Sequence, residues 1–262
     1  MEPIAVTPVD SHPAPLFQAG EQRGNLVAVE GIDGSGKSTL VAHLFDHLSG
    51  QGRPVFRVTR YMVPALTRLW LRLVEEDLVD QYEAAALAVA DYYTGLANAI
   101  GPALDAGKIV LADRYHFSHQ VHFCLRGVDP EQLQAWFAAA QPPILTIYLE
   151  VPVGITLDRL RLMNKPDFWE CGLDHRPGMS IGKAWRQFLE NRPSTEELEH
   201  HFYRYQSAAK VLFQQILPPS TTVILDGTLP SDELLGRCLR LLDRAEARQE
   251  LLEGQPVFHS KA

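Results

Sequence analysis

Residues 26–40 read LVAVEGIDGSGKSTL, a short apolar run followed by a glycine-rich turn and the first residues of a segment with helical spacing. Residues 31–38 fit the pattern G-x-x-x-x-G-K-[ST], whose glycines let consecutive backbone N–H groups point inward at phosphate oxygens. The flanks agree with this interpretation, because residues 26–30 are typical of a buried strand and residues 39–48 of a helix. The stretch therefore predicts a strand, a phosphate-binding loop and a helix whose positive N-terminus faces the phosphates.

The side chains of this loop predict how a nucleoside triphosphate is held. Lys37 is placed to reach the β- and γ-phosphates, and the Ser38 hydroxyl is placed to ligate Mg²⁺. The rest of the predicted nucleotide site consists of neighbours that offer backbone N–H groups or short side chains: Asp33, Gly34, Ser35, Gly36 and Thr39. ATP and Mg²⁺ are therefore the expected cofactors.

Outward from the loop, short apolar runs alternate with longer helical stretches. Further strands are predicted at PVFRVT (54–59), KIVLAD (108–113), ILTIYLE (144–150) and TTVILD (221–226). This alternation is typical of βαβ units, in which crossover helices cover both faces of a parallel sheet. We predict an α/β protein with the three-layer P-loop NTP hydrolase fold, which has a five-stranded parallel sheet, helices on both faces and a lid.

The alternating pattern predicts one domain over residues 25–255. Residues 1–24 carry four prolines and no period of 2 or 3.6, so we expect a flexible leader there. After Met163 the regular spacing gives way to NKPDFWECGLDHRPGMSIGK (164–183) before helical spacing returns. A long irregular insert in a compact domain is typical of a functional lid, which we expect at about residues 161–195.

The composition argues against several classes of protein. With 24 Lys and Arg against 32 Asp and Glu, the formal net charge of −8 has the wrong sign for a protein that wraps a nucleic-acid backbone. The three cysteines form no C-x-x-C pair, which indicates neither a disulfide framework nor a zinc ribbon. The sequence has neither a signal-peptide pattern nor a run of about 18 apolar residues. We therefore expect a cytoplasmic protein without membrane or nucleic-acid partners.

Four ordered stretches between about residues 25 and 242 resemble the thymidylate kinase family of nucleoside monophosphate kinases. They are VAVEGIDGSGKSTL (27–40), VTRYM (58–62), LAVADYYTGLANAIGPALDAGKIVLADRYHFS (87–118) and PPILTIYLEVPVGITLDRL (142–160). The resemblance implies phosphoryl transfer from ATP to a nucleoside monophosphate, and a homodimer built from the helices near residues 65–105. Because positions 33–35 hold no arginine, it also implies a transition-state arginine from the lid, for which we favour Arg161 and Arg176.

Transfer between ATP and a phosphate monoester brings two anions together, so cations are needed beside both. Arg60 and Arg114 each follow the carboxyl end of a predicted strand, where open α/β sheets bind ligands, and we expect them to hold the acceptor phosphate. Asp113 is placed to organise Mg²⁺ or to orient Arg114. Asp33 is placed to meet an acceptor sugar hydroxyl or the phosphate that it carries. The acceptor phosphate attacks in line and needs no general base.

The predicted acceptor site departs from the family pattern. In the family, the helix that resembles LAVADYYTG usually carries a phenylalanine that stacks on thymine and, four residues later, an arginine; this chain has Ala88 and Tyr92 there. His119 and His122 stand where the family has a small or amide residue and a tyrosine, and Tyr61 completes the predicted acceptor site. We therefore expect a modified or non-thymine acceptor. The alternative is a diverged thymidylate kinase that stacks the base on another ring.

Two other functions fit the same residues. A nucleoside or other small-molecule kinase of this fold would phosphorylate a hydroxyl and would need a carboxylate base, for which Glu30, Asp33 and Asp113 are candidates. A non-catalytic nucleotide-binding protein would bind the triphosphate and signal to a partner. The presence of both Arg60 and Arg114 favours a phosphorylated acceptor.

Overall fold

A five-stranded sheet forms the centre of the protein. The computed structural model describes residues 24–174 and 179–253. The strands are β1 Leu26–Glu30, β2 Val55–Thr59, β3 Ile109–Asp113, β4 Leu145–Glu150 and β5 Thr222–Asp226. Their order across the sheet is β2-β3-β1-β4-β5, and each neighbouring pair is parallel. The predicted α/β fold with a five-stranded parallel sheet is therefore confirmed.

Helices connect the strands, as parallel pairing requires. Within the described residues they are α1 Lys37–Gly50, α2 Pro64–Glu75, α3 Gln81–Gly95, α4 Gly101–Asp105, α5 His116–Leu125, α6 Pro130–Trp136, α7 Val153–Arg161, α8 Ile181–Asn191, α9 Thr195–Ile216 and α10 Ser231–Glu253. A π-helical turn, Leu96–Ile100, joins α3 to α4. None of the helices in this part of the chain is long and apolar enough to cross a membrane.

Alternating side chains of the central strands enter two separate apolar clusters. Val27 and Val29 of β1 pack in one cluster with α1 and α10. Leu26 and Ala28, on the opposite face, pack in a second cluster with α3, α5 and α9. Because both faces are covered, all five residues of β1 are buried, which explains why this strand reads as a continuous apolar run.

The region predicted as a lid contributes to a third apolar cluster. Phe168 of the irregular segment shares this cluster with Trp70 of α2 and with residues of α3, α8 and α9. An ion pair of 3.1 Å between Arg186 of α8 and Asp77 also ties this region to the end of α2. The role of residues 161–195 as a lid stays a prediction. So do the domain limits and the leader, because residues 1–23 and 254–255 lie outside the described residues.

The loops that follow β1, β2 and β3 meet at one edge of the sheet. The register pairs Asp113, the last residue of β3, with Val29 of β1 and with Thr59 of β2. The next residue, Arg114, donates its backbone N–H to Val29 O at 3.1 Å and has a left-handed φ of 68°. A non-glycine residue in that conformation costs on the order of 1–3 kcal/mol, and such residues cluster at functional sites.

We expect Ser194→Ala to lower the free energy of unfolding by about 1 kcal/mol, because it removes the cap of α9. Ser194 Oγ accepts a hydrogen bond from Glu197 N, and the Glu197 carboxylate accepts one from Ser194 N at 2.8 Å. Chemical denaturation measures the change. Ser207→Ala, at an exposed site on the same helix, is the matched control and should cost nothing, since alanine favours helices. Equal losses in the two variants would contradict the prediction.

Candidate active site

The phosphate-binding loop forms one wall of a cavity of about 570 Å³, which we call the loop cavity. Gly36 makes the tight turn possible with a φ of 98°, in the left-handed region that favours glycine. Residues of the loop and of the first turns of α1 line one wall: Gly34, Ser35, Gly36, Lys37, Ser38, Thr39, Leu40 and His43. The rest of the lining comes from Arg114, Arg159, Leu162, Met163, Gly227, Leu229, Ser231 and Leu234. Six of the seven residues predicted to hold the nucleotide therefore surround one cavity.

Lys37 is folded back onto its own loop. Its Nζ donates to Ile32 O at 2.6 Å and to Ser35 Oγ at 3.3 Å, and the side chain is buried. Burial lowers the pKa of Lys37 to about 7, because an ammonium group away from water is disfavoured. An anion in the loop cavity would favour the charged form again, so the site is prepared for a group such as a phosphate.

Arg159 of α7 is hydrogen-bonded directly to the turn of the loop. Its NH1 donates to Gly34 O at 3.4 Å and to Ser35 O at 3.2 Å, and its NH2 donates to Gly227 O at 2.9 Å. One guanidinium therefore joins the phosphate-binding loop to the turn that follows β5. The side chain also lines the loop cavity, which leaves it within reach of a bound phosphate chain.

A second cavity of about 460 Å³ lies on the other side of Arg114, and we call it the aromatic cavity. Its cations are Arg60, Arg114 and Arg126, and its carboxylates are Asp33 and Glu170. Rings and smaller side chains complete the lining: Tyr61, Trp70, Trp169, Tyr205, His122, Thr67 and Leu71. Three arginines beside several rings suit a ligand that has both an anionic group and a planar group.

Arg60 carries an unused hydrogen-bond donor in this cavity. Its guanidinium stacks on Tyr61 at 4.6 Å from the ring centroid and donates to Tyr61 Oη at 2.9 Å. Its Nε is buried without a hydrogen-bond partner among the described residues. A buried unpaired donor costs roughly 1–3 kcal/mol, so a ligand oxygen there would relieve that cost.

Arg114 and Asp33 form an ion pair at the junction of the two cavities. Arg114 lines both cavities, and Asp33 lines the aromatic cavity. Burial acts to raise the pKa of Asp33, but the charges of Arg114 and Lys37 hold it well below its usual range. The carboxylate therefore stays ionised and keeps the Arg114 guanidinium between the two cavities.

Two other predicted carboxylates are held by partners inside the protein. Glu30, fully buried at the end of β1, accepts hydrogen bonds from Tyr115 N at 2.8 Å and from Ser118 Oγ at 2.5 Å, and burial raises its pKa. Asp113 pairs with Arg57 at 3.6 Å. Neither side chain lines either cavity, so the structure gives no support to Asp113 as a direct metal ligand.

Three residues predicted to contact the acceptor do not line the aromatic cavity. Ala88 is buried in the third apolar cluster, and Tyr92 is buried in the second, where its hydroxyl pairs with Tyr115 Oη at 2.7 Å. His119 is buried next to the cavity, with its Nε2 3.4 Å from Arg60 O and its ring centroid 6.1 Å from that of Tyr61. The assignment of these three residues to the acceptor site stays a prediction.

His122, which the sequence predicted for the acceptor site, lines the aromatic cavity. Its Nδ1 lies 2.7 Å from the hydroxyl of Tyr205, and the two rings are stacked. Burial and the nearby charge of Arg60 lower the pKa of His122 well below its usual range. The imidazole is therefore neutral at pH 7 and adds a polar wall without adding charge.

Of the two arginines predicted to stabilise the transition state, the structure describes Arg161, which does not line either cavity. Arg161 is on the surface, where it pairs with Asp158 at 2.7 Å and with Glu199 at 2.6 Å. Arg176 lies outside the described residues. The neighbouring Arg159 lines the loop cavity instead, because it lies two positions earlier on α7 and so on another face of the helix.

Several residues of the site were not predicted from the sequence. Arg126 pairs with the buried Asp174, and both Trp70 and Trp169 line the aromatic cavity. Arg126 follows α5 directly and Trp169 lies in the irregular segment, so their distance from each other along the chain hid their proximity. Gln206 also escaped prediction, since a single glutamine within a helical pattern carries no distinguishing signal.

Together, the two cavities define a class of protein. One has a phosphate-binding loop with a buried lysine, the other has arginines with an unused donor, and Arg114 lines both. Such an arrangement brings two anionic groups together at the carboxyl edge of a parallel sheet, where α/β proteins bind nucleotides. It is the site of a P-loop phosphotransferase.

Comparison with known proteins gives the family. A family model of thymidylate kinase matches residues 29–171. The thymidylate kinase of Akkermansia muciniphila is 33% identical over 58% of this chain and 74% of its own length. The probable thymidylate kinase of Archaeoglobus fulgidus is 32% identical over 65% of this chain and 83% of its own length. The thymidylate kinase of Desulfovibrio desulfuricans is 29% identical, over 81% and 92%. The chain belongs to the thymidylate kinase family and is an enzyme of the nucleoside monophosphate kinase class.

We expect acid to weaken the wild-type protein more than Asp33→Asn. Because the pKa of Asp33 is held below its unfolded value, the unfolded chain binds the extra proton first, and the stabilisation by the ion pair is lost as the pH falls below about 4. The free energies of unfolding of the two proteins, measured by denaturation between about pH 6 and pH 2.5, should therefore converge.

The matched control is Asp46→Asn, at an exposed position on α1. Its curve should stay parallel to that of the wild type over the same pH range. A parallel curve for Asp33→Asn as well would mean that the Asp33–Arg114 pair does not contribute to folding stability.

Proposed function

We propose that the protein transfers the γ-phosphate of ATP to the phosphate of a nucleoside monophosphate, with ATP in the loop cavity and the acceptor in the aromatic cavity. The observation that carries this proposal is the position of Arg114, which lines both cavities and is fixed by Asp33. A guanidinium there can bond to both anions and offset their repulsion as they approach.

The donor side rests on the loop and the first turn of α1. Backbone N–H groups of the loop would bind the phosphates, and the Lys37 ammonium would leave its contacts with Ile32 O and Ser35 Oγ to bond to a phosphate oxygen. The Ser38 hydroxyl lines the loop cavity and is a hard oxygen ligand that suits Mg²⁺. When bound, Mg²⁺ neutralises charge on the β- and γ-phosphates.

The acceptor side rests on Arg60 and Arg114. The unpartnered Nε of Arg60 would donate to an oxygen of the acceptor phosphate, whose charge Arg114 would share. The acceptor phosphate oxygen attacks the γ-phosphorus in line, the bond from that phosphorus to the β-γ bridging oxygen breaks, and ADP leaves. A phosphate monoester is already ionised at neutral pH, so the attack needs no general base.

The three carboxylates that the sequence offers as bases favour a phosphorylated acceptor over a hydroxyl acceptor. A kinase that acts on a hydroxyl needs a carboxylate to receive the proton. The three candidates are each engaged: Glu30 with Tyr115 N and Ser118, Asp33 with Arg114, and Asp113 with Arg57. In addition, Glu30 and Asp113 line neither cavity.

The base of the acceptor is the finer part of the proposal. The relatives are named for thymidylate, and dTMP is the reference acceptor. The rings beside the acceptor are Tyr61, Trp70 and Trp169, with Trp70 and Trp169 5.7 Å apart between centroids. These rings lie on α2, on the residues before it and on the irregular segment, whereas α3 carries Ala88 and Tyr92 in place of the phenylalanine and arginine of the family. This difference supports a modified or non-thymine base as our proposal for the preferred acceptor.

A homodimer through the helices near residues 65–105 is also proposed. Leu69, Leu78 and Tyr82 are exposed on this part of the protein, which supports an apolar contact there. A second copy is the partner expected from the family resemblance.

The proposed reaction is tested by ADP release from the purified protein with ATP and Mg²⁺ and a panel of acceptors. The panel contains dTMP, dUMP, 5-substituted pyrimidine nucleotides, CMP, AMP and GMP, together with the parent nucleosides. Turnover of a monophosphate but not of its nucleoside is expected. Turnover of nucleosides alone would favour a hydroxyl kinase, and ATP binding without turnover would favour a non-catalytic protein.

We expect Arg60→Ala to raise the KM for the acceptor roughly 10- to 100-fold and to leave the KM for ATP nearly unchanged. The reason is that Arg60 lines only the aromatic cavity and that charge-assisted hydrogen bonds contribute about 1.5–3 kcal/mol. Steady-state kinetics with each substrate varied in turn measures both constants. Arg72→Ala, which removes an exposed arginine paired with Glu76, is the control. Equal changes in both KM values would contradict the assignment.

We expect Arg159→Ala to lower kcat by about 100-fold or more, because Arg159 is the α7 arginine that lines the loop cavity. Arg161→Ala, on the same helix, should keep kcat within about twofold, since its guanidinium already bonds to Asp158 and Glu199 on the surface. Single-turnover kinetics at saturating substrates separates the two variants. The opposite order of effects would restore Arg161 as the transition-state arginine.

A further inference from the structure

Gln206 is a fully buried glutamine at the point where three parts of the site meet. It belongs to α9 and is 0% exposed. α9 packs against both α5 and α7, the helices that precede Arg126 and carry Arg159. A polar side chain in such a position needs hydrogen-bond partners, since an unpaired buried amide costs several kcal/mol.

The amide of Gln206 makes two hydrogen bonds to Asp33, one to its backbone and one to its carboxylate. Its Oε1 accepts the backbone N–H of Asp33 at 3.1 Å, and its Nε2 donates to Asp33 Oδ2 at 3.0 Å. The other carboxylate oxygen, Oδ1, is bonded to Arg114. Gln206 therefore fixes the orientation in which Asp33 presents its carboxylate to Arg114.

The same amide also holds the irregular segment of residues 164–174, which we call the wall segment. Gln206 Nε2 donates to Glu170 O at 2.8 Å. Trp169 and Glu170 of this segment line the aromatic cavity. The segment lies directly on α9, because a Cβ on Gly172 would clash with the ring of Tyr205.

The carboxamide of Gln206 satisfies all three contacts at once. The NH₂ group of its amide donates to the Asp33 carboxylate and to the Glu170 carbonyl, and its oxygen accepts from the Asp33 N–H. A glutamate would lack both donors and would put a second negative charge beside Asp33. A methionine would keep the volume and lose the three hydrogen bonds.

We propose that Gln206 is a positioning residue for phosphoryl transfer, because it holds the Asp33–Arg114 pair and the Trp169–Glu170 wall of the aromatic cavity in one fixed arrangement. Gln206 lines neither cavity and acts through Asp33 and Arg114. Its effect is on the position of the Arg114 guanidinium between the two anions, where small displacements are costly to the rate. This inference rests on the proposed function of the site.

Two variants test the inference with the full-length protein. Gln206→Met should lower kcat with the best acceptor at least tenfold and change the KM for ATP by less than about twofold. Gln206→Glu should show a pH-dependent defect. Two adjacent carboxyl groups cannot both ionise easily, so the ratio of this variant's kcat to that of Gln206→Met should rise as the pH is lowered from about 8 to 6.

The other charged or titratable groups around Asp33 and Gln206 are Arg114, Lys37, Arg60, His122 and Glu170. The pKa values of Lys37 and Glu170 are both about 7, so these two groups also titrate between pH 6 and 8. Gln206→Met keeps both groups and lacks the introduced carboxyl, so its pH profile is the reference against which the profile of Gln206→Glu is compared. Tyr205 and Cys171 also face Asp33, and burial raises the pKa of both. Neither group changes charge between pH 6 and 8.

Gln215→Met and Gln215→Glu are the matched controls, because Gln215 is exposed on the same helix. Circular dichroism and thermal unfolding check that each variant folds. The inference is overturned if folded Gln206→Met keeps its kcat within twofold of the wild type. It is also overturned if the pH profile of Gln206→Glu runs parallel to that of Gln206→Met.

A readout without turnover separates this inference from the proposed function. Carboxyl ¹³C NMR of the free protein follows the titration of Asp33, which should move to higher pH in Gln206→Glu and stay in place in Gln215→Glu. If Asp33 shifts but the wild type turns over no monophosphate, the proposed function fails and the hydrogen-bond role of Gln206 stands. If Asp33 does not shift, the inference fails whatever the acceptor is.

Discussion

The Asp33–Arg114 ion pair is the interaction on which the rest of the site depends. Asp33 lies in the turn after β1 and Arg114 follows β3 directly, and these two strands are neighbours in the sheet. Pairing of Val29 with Asp113 sets the register that brings the two side chains together. The left-handed backbone at Arg114 then turns the guanidinium toward the junction of the two cavities, a strain that the sheet register and the ion pair together maintain.

The electrostatics of the site follow from how its charges are paired. An acidic chain with a net charge of −8 gathers Arg60, Arg114, Arg126 and Arg159 around two cavities. Arg114 and Arg126 have carboxylate partners, Arg159 has backbone carbonyls, and Arg60 has an aromatic ring and an unused Nε. Burying a charge without a partner is costly, so the partners keep the cations in place while no phosphate is bound. A bound anion would then be stabilised by a positive field that the protein has already arranged.

Much of the fold was predictable because its signals are local. Residues 26–40 alone gave the strand, the loop and the helix, since the glycine spacing and the apolar runs depend on near neighbours in the chain. Arg60 and Arg114 were predictable for a similar reason, because strand ends in a parallel sheet share one edge. Ala88 and Tyr92 were assigned to the acceptor site on resemblance to the family and are buried in the apolar clusters. Which residues of α3 are buried depends on how α2 and α5 pack against it, and no local pattern encodes that packing.

The sequence by itself determined the class of the protein, the phosphate-binding loop and the parallel sheet, because each rests on short-range spacing or on hydrophobic periodicity. Only the tertiary structure decided which side chains surround the second cavity. Its lining includes Trp70, Arg126 and Trp169, and Gln206 is bonded to Glu170 of its wall. These residues come from four separate parts of the chain and meet only when α2, the end of α5, the wall segment and α9 pack together. It also decided that Arg159 and not Arg161 reaches the loop cavity, since a difference of two helical positions turns a side chain to another face.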